Sequence, residues 1–202
     1  MAKKIKHIHG RPKKSARLLN RTVILETSFY LANEFGFENL TMKLIASRLE
    51  IRPPSIYNHI SDIDEVKIGV ATLTLSKLAE FLKGSVEKKT LETSNQAEIL
   101  KSLCFSYREF AKAYSGVYSA ILPSAEKYPD MLASSREIIE ICMKSLGLSG
   151  QVDSSSIHKI RIMRSTLHGF VSLEAAGGFG LSESVDDTFV LLTENLVSSL
   201  LR

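Results

Sequence analysis

The side chains best suited to chemistry cluster between Lys43 and His59, and the densest stretch reads Arg52-Pro53-Pro54-Ser55-Ile56-Tyr57-Asn58-His59-Ile60. Ile56 and Ile60 stand one helical turn apart and face inward, so Ser55, Asn58 and His59 face outward beside Arg52 and the two prolines. A face that carries a cation, a hydroxyl, an amide and an imidazole, with no carboxylate, suits the base edges and phosphates of a DNA major groove. That is chemistry of recognition, not of bond-breaking. The same spacing also suits an ordinary helical hairpin with a solvated outer face.

Catalytic sets are absent from the sequence. It holds no Gly-rich phosphate loop, no His-Glu-x-x-His, no Gly-x-Ser-x-Gly and no Cys-x-x-Cys. His168 and Glu174 are six residues apart and do not share a helix face as i, i+4 metal ligands would, and His168 reads as a hydrogen-bonded interior histidine. The expectation is a protein that is not an enzyme and uses no cofactor or metal. Cys104 and Cys142 lie in apolar helical contexts and read as reduced core residues of a cytoplasmic protein. No run approaches 18 apolar residues, and the basic N-terminus is not followed by an apolar signal region, so neither a membrane span nor a secretory signal is expected.

Charge is unevenly placed. Up to Ile60 there are 11 Lys and Arg against 4 Asp and Glu; beyond it there are 15 against 18, which together recover the net +4. A basic first third on a slightly acidic remainder points to a polyanion at one end.

Short elements must hold the outward face in place. Thr41 caps a helix that carries Ile45 and Leu49, with the small Ala46 allowing a close crossing. Pro53 is pushed to extended geometry by Pro54, and Pro54 suits the first position of the following short helix. A preceding helix from Arg21 to Phe35, with Ile24, Ser28, Leu31 and Phe35 on one face and Gly36 as its stop, forms the third wall. Asp62 with Glu65 three residues later makes a capping-box-like start for a helix expected to end near Leu82–Gly84. Residues 1–20 are polar and basic and read as a flexible arm. Within it, Gly10-Arg11-Pro12-Lys13-Lys14 resembles the core of an AT-hook, beside the plainer reading of a basic tail attracted to phosphate.

With Glu34-Phe35-Gly36, Thr41, Ile45-Ala46 and Tyr57-Asn58-His59-Ile60 in this order, the segment from about Thr22 to Leu73 resembles the DNA-binding half of TetR-family transcriptional regulators. Leu167-His168-Gly169-Phe170, Leu173-Glu174 and Gly177-Gly178-Phe179 are similar to the Trp-His-Gly type of TetR regulatory domain, with Leu167 at the Trp position. The resemblance implies an all-α protein: a three-helix helix-turn-helix DNA-binding domain at 21–66 and a larger α-helical effector-binding and dimerisation domain at 67–202. It directs Lys43, Arg52, Pro53, Pro54 and Ser55 toward bases, with Asn58 at the edge, and gives Tyr57, His59 and Thr41 to phosphates. It also exposes two departures. Ile63 stands where a phosphate-contacting Lys is usual, and Glu50 replaces a turn glycine and so needs a positive φ.

The rest of the chain reads as helices over about 96–114, 116–122, 129–146, 156–176 and 185–201, with a polar loop at 87–96. On the last helix Phe189, Leu192, Leu196 and Leu200 form one apolar stripe, and Val190, Leu191, Val197 and Leu201 form a second. Two stripes need two neighbours, which suggests a homodimer through the last two helices. Phe105, Tyr107, Phe110, Tyr114, Tyr118, Met143, Met163 and Phe170 are the candidate effector pocket, and their apolar bias suits a small hydrophobic ligand. The functional expectation is a sequence-specific DNA-binding regulator, a repressor released from a palindromic operator by that ligand. The alternative is an architectural DNA-binding or protein-interaction module without an effector.

Overall fold

The computed structural model describes residues 19–121, 128–148 and 152–202. Residues 1–18 of the expected basic arm, with its AT-hook-like core, and Pro123 and Gly150 lie outside the described residues.

Seven α-helices run through the described residues, and no strand occurs among them. Helix α1, Arg21–Phe35, opens where Asn20 accepts from the Val23 N–H at 2.9 Å and closes where Gly36 takes a φ of 93°. Its core face is Ile24, Ser28, Phe29, Leu31 and Ala32. Phe35 does not join that face; it is 47% exposed. One turn past Leu31, the helix has reached the edge of the core.

Helix α2, Met42–Leu49, is capped by Thr41, whose hydroxyl accepts from the Leu44 N–H at 3.2 Å. It ends at Glu50, the one non-glycine residue of positive φ among the described residues, at φ 57° and ψ 38°. The short helix expected to open at Pro54 is instead a 3-10 turn over Pro53–Asn58, and the extended residue before it is Arg52 rather than Pro53. The Ser55 N–H reaches Arg52 and the His59 N–H reaches Ile56, both at i→i+3. Two leading prolines cannot donate, and six residues are too few to establish an α-helical ladder. Ile56 and Ile60 still face inward, at 0% and 2% exposure.

Helix α3, Ile63–Glu92, is the spine, about 45 Å long at 1.5 Å per residue. It packs on α1 and on the two helices described next. It does not stop at Gly84, and the expected loop at 87–96 shrinks to the residues after Glu92. Packing overrides the glycine: Leu82 and Val86 are each 1% exposed, and Ser85 and Ser102 share a hydroxyl hydrogen bond of 2.7 Å.

Helix α4, Gln96–Ala113, leads through a short 3-10 turn at Tyr118–Ile121; α5 is Pro129–Ser145, α6 Ser154–Ala175 and α7 Val185–Leu200. Helix α6 begins two residues earlier than the sequence pattern suggests because Asp153 and Ser156 form a reciprocal capping box. Accepting the Ser156 backbone N–H holds the Asp153 carboxyl below its usual range. Cys104 and Cys142 are free and buried, and burial pushes both thiols up to about 12. Among the described residues no helix is long and apolar enough to cross a membrane.

Candidate nucleic-acid interface

The reading surface is built on the three-helix core of Ile24, Leu31, Ile45, Ile56 and Ile60. Ion pairs tie the helices around it. Arg48 reaches Glu34 at 2.7 Å, Lys67 reaches Glu38 at 2.8 Å and Arg21 reaches Glu65 at 3.0 Å. Each is a surface pair worth at most about 1 kcal/mol, but together they fix how α1 meets α2 and α3. They also occupy those cations. Lys43 and Arg52 are exposed and have no side-chain partner among the described residues.

The other expected site residues lie on the same side of the turn. Pro53, Pro54, Asn58 and His59 are exposed, Ser55 is half-buried, and Tyr57 is 54% exposed. A phenol that large left open beside an imidazole with no side-chain partner among the described residues is not explained by packing. Thr41 is exposed too; its oxygen caps α2 while its hydroxyl hydrogen remains available to donate.

Behind this surface the junction into α3 is fixed. Asp62 accepts from the Glu65 N–H at 2.8 Å, but Glu65 does not answer to Asp62; it accepts from the backbone N–H and the hydroxyl of Ser61 at 2.8 and 3.0 Å. The Ser61 N–H, then Arg21, holds the Glu65 carboxyl below its ordinary value. Ile63 is partly buried against the core, so at this position the chain has apolar packing in place of a cation.

The candidate effector residues separate into three groups. Tyr107 and Tyr118 share a hydrogen bond of 2.6 Å, and the Tyr118 hydroxyl lies 2.8 Å from His168 Nδ1. Burial pushes both phenols up and lowers His168. Phe110 packs on Tyr114 at 4.8 Å, and Tyr114 on Phe29 of α1 at 5.4 Å. Phe105, half open at the surface, meets Phe189 at 5.3 Å, and Phe170 meets Phe189 at 4.9 Å. Met143 and Met163 are buried between these elements.

Two features escaped the sequence reading. Arg108, with its side chain 8% exposed, donates to both oxygens of Glu174 and to Asp186 while lying 4.7 Å from the Phe189 ring, so it clamps α4 to α6 and α7. Its signal was a charge four residues after Cys104, on the buried stripe of α4. The second is Gly116, whose carbonyl accepts from the Phe37 N–H at 2.9 Å. A Cβ there would lie 2.3 Å from the Asn33 carbonyl oxygen, so the helical body touches the end of α1 backbone to backbone.

A short helix-turn-helix whose exposed donors have no partner among the described residues, carried by a larger helical body, is an arrangement suited to a DNA-binding regulator. Residues 100–196 match the family described as tetracyclin repressor-like, C-terminal domain. The uncharacterized HTH-type transcriptional regulator YobS of Bacillus subtilis (strain 168) is 26% identical over 185 residues, covering 91% of this chain and 93% of its own. ActR of Streptomyces coelicolor, solved with actinorhodin, superposes with a TM-score of 0.65 at 17% identity, covering 91% of this chain and 97% of that one. A TetR variant from Acinetobacter baumannii AYE, solved with minocycline, gives 0.65 at 19% identity over 90% and 96%. The family match over the C-terminal half, the curated relatives and the shared fold together support a TetR-family transcriptional regulator.

Proposed function

We propose that two copies of this chain bind a palindromic operator as a repressor and leave it when a small, mainly hydrophobic ligand enters the helical body. The observation that carries this reading is the reading surface itself, where Lys43, Arg52, Tyr57 and His59 stand exposed while neighbouring cations are paired. Lys43 and Arg52 meet guanine O6 and N7, the methylenes of Pro53 and Pro54 touch thymine methyls, and Ser55 and Asn58 complete the base contacts. Tyr57, His59 and Thr41 hold phosphates and set the register.

Dimerisation through α6 and α7 supplies the second half-site. Val190, Leu191, Ile162 and Leu173 lie between 40% and 60% exposed on these two helices, an apolar face consistent with a second copy. The two reading turns then need a separation of about 34–36 Å to fall on one face of the DNA. Crystallised relatives hold actinorhodin and minocycline, which supports a ligand site in the helical body. Such a ligand acts by favouring a dimer of the wrong spacing, with a coupling of about 1–3 kcal/mol. Two routes reach the reading unit: α3, and the Gly116 contact with α1.

The test is selection of bound genomic fragments by the purified protein at fixed salt. Recovery of one short palindrome supports the reading. Retention of fragments that share no motif removes sequence-specific control and leaves an architectural role.

A further inference from the structure

The last two helices divide their charge between them. Helix α6 carries Lys159, Arg161 and Arg164 and a single acid, Glu174, which Arg108 holds. Helix α7 carries Asp186, Asp187 and Glu194 and no base. Asp186 is also held by Arg108, and Lys159 donates to the Leu200 carbonyl at 2.6 Å. Arg161, Asp187 and Glu194 are exposed and have no side-chain partner among the described residues.

This division bears on how a second copy can be laid on the face. Two-fold packing of like helices brings the acids of α7 onto the same acids of the other copy, which is repulsive. Laying α6 on α7 sets bases against acids. We propose that the second copy docks in this second way, α6 of each protomer against α7 of the other, with Arg161 meeting Glu194 of the partner subunit. The proposal rests on the dimeric reading above and adds the alignment and the groups that fix it.

Contacts within one protomer give the register. Lys159 lies level with Leu200, and Glu174 and Asp186 meet on Arg108, so α6 and α7 run antiparallel and Glu194 stands level with Ser165. A two-fold axis running along the helices keeps each residue at its level while placing α7 of the other copy in front of α6. Glu194 of the partner subunit then arrives one turn from Arg161, an axial gap of about 6 Å that the long Arg side chain spans. Arg164 is not the interface cation. Two residues past Ile162, it is turned to another side of α6, where its charge acts on Tyr107 of α4 and Cys142 of α5.

The apolar groups agree with this alignment. Ile162 and Leu173 lie three turns apart on one exposed side of α6, with the small Ser165 and Gly169 between them. Val190 and Leu191 of α7 stand level with Gly169 in the same register. A Cβ added at Gly169 would meet nothing within 4 Å, so the space in front of it is open to a large side chain.

The test is sedimentation of the full-length chain over a concentration series, for the wild type, Arg161→Glu, Glu194→Arg and an equimolar mixture of the two variants. Each reversal alone puts two like-charge pairs into the homodimer and should raise its dissociation constant at least about tenfold. In the mixture, one copy of each variant regains two opposite-charge pairs and should associate within about threefold of the wild type. The neutral variants Arg161→Gln and Glu194→Gln carry the same readout at smaller amplitude should a reversal disturb the fold. Reversals that leave the dimer at full strength overturn the ion pair and leave the dimer standing. Weakening by each reversal without recovery in the mixture overturns the alignment of α6 on α7. A wild type that stays monomeric removes the dimeric reading itself, and the alignment with it.

Discussion

The reading unit and the helical body treat their polar groups in opposite ways. Around α1, α2 and the 3-10 turn the ion pairs lie at the surface, the core is apolar apart from Ser28, and Lys43, Arg52, Tyr57 and His59 have no side-chain partner among the described residues. In the body the strongest polar contacts are inside: Arg108 with Glu174 and Asp186, and the row Tyr107–Tyr118–His168. On the proposed function, the unpaired groups are the ones that meet DNA, while the interior polar groups tie the helices of the body to one another.

The largest effect should come from breaking the interior network. Arg108→Ala leaves Glu174, 17% exposed, facing the core edge without its main partner, and should cost about 3–5 kcal/mol in urea unfolding. The same change alters the acid limb. Arg108 holds the Glu174 carboxyl below its ordinary 4.5, so its stabilisation is present above that pH and is lost as the pH falls through the lowered value. The variant should lose less stability on acidification than the wild type. A cost under about 1 kcal/mol would make this network equivalent to the surface pairs of the reading unit and erase the contrast.

Next comes the seam between the two regions. Gly116→Ala places a methyl 2.3 Å from the Asn33 carbonyl oxygen and against the Ala32 carbonyl, backbone that cannot swing away, and should cost about 1–3 kcal/mol. Because the displaced segment is the end of α1, operator affinity measured by anisotropy should fall with stability. Unchanged DNA binding would make α3 the sole route between the regions. Within the reading unit, Arg52→Ala should relax preference at one base pair by about 1–3 kcal/mol, while Tyr57→Phe weakens all sites alike. Equal weakening of operator and random DNA by Arg52→Ala would remove its base-reading role.

The reading unit was more legible in the sequence than the body because its signals are local. Thr41, Asp62, Gly36 and the Pro53-Pro54 pair act on neighbours a few residues away, and all four mark boundaries in the structure. The positive φ of Glu50 was implied only by the resemblance, in which it takes the place of a turn glycine. The body depends on contacts across the chain. Glu174 and Asp186 are 66 and 78 residues from Arg108, and no spacing rule connects them. Tyr118 and His168, at a separation of 50, were named separately, as a pocket residue and as an interior histidine, without the bond between them. Residues 87–92 failed for the same reason: their polar sequence reads as loop, and only packing of Val86 and neighbours on α4 makes them helix.

Gly84 gives the smallest test and a clean sign. As a helix stop it would favour a left-handed conformation, and a side chain there would be penalised. In the structure it is exposed within α3, has no positive φ, and an added Cβ meets nothing within 4 Å. Alanine then removes backbone freedom from the unfolded chain and adds helix propensity without a clash, so Gly84→Ala should raise stability by about 1 kcal/mol. The gain should appear in the urea midpoint with an unchanged slope, since the surface exposed on unfolding is the same. Operator affinity without ligand should not move, because residue 84 lies well along α3 from the reading turn. A loss of stability would mean that α3 bends or ends at this glycine in solution. The spine would then be two helices with a joint, and the seam at Gly116 would become the firmer of the two connections.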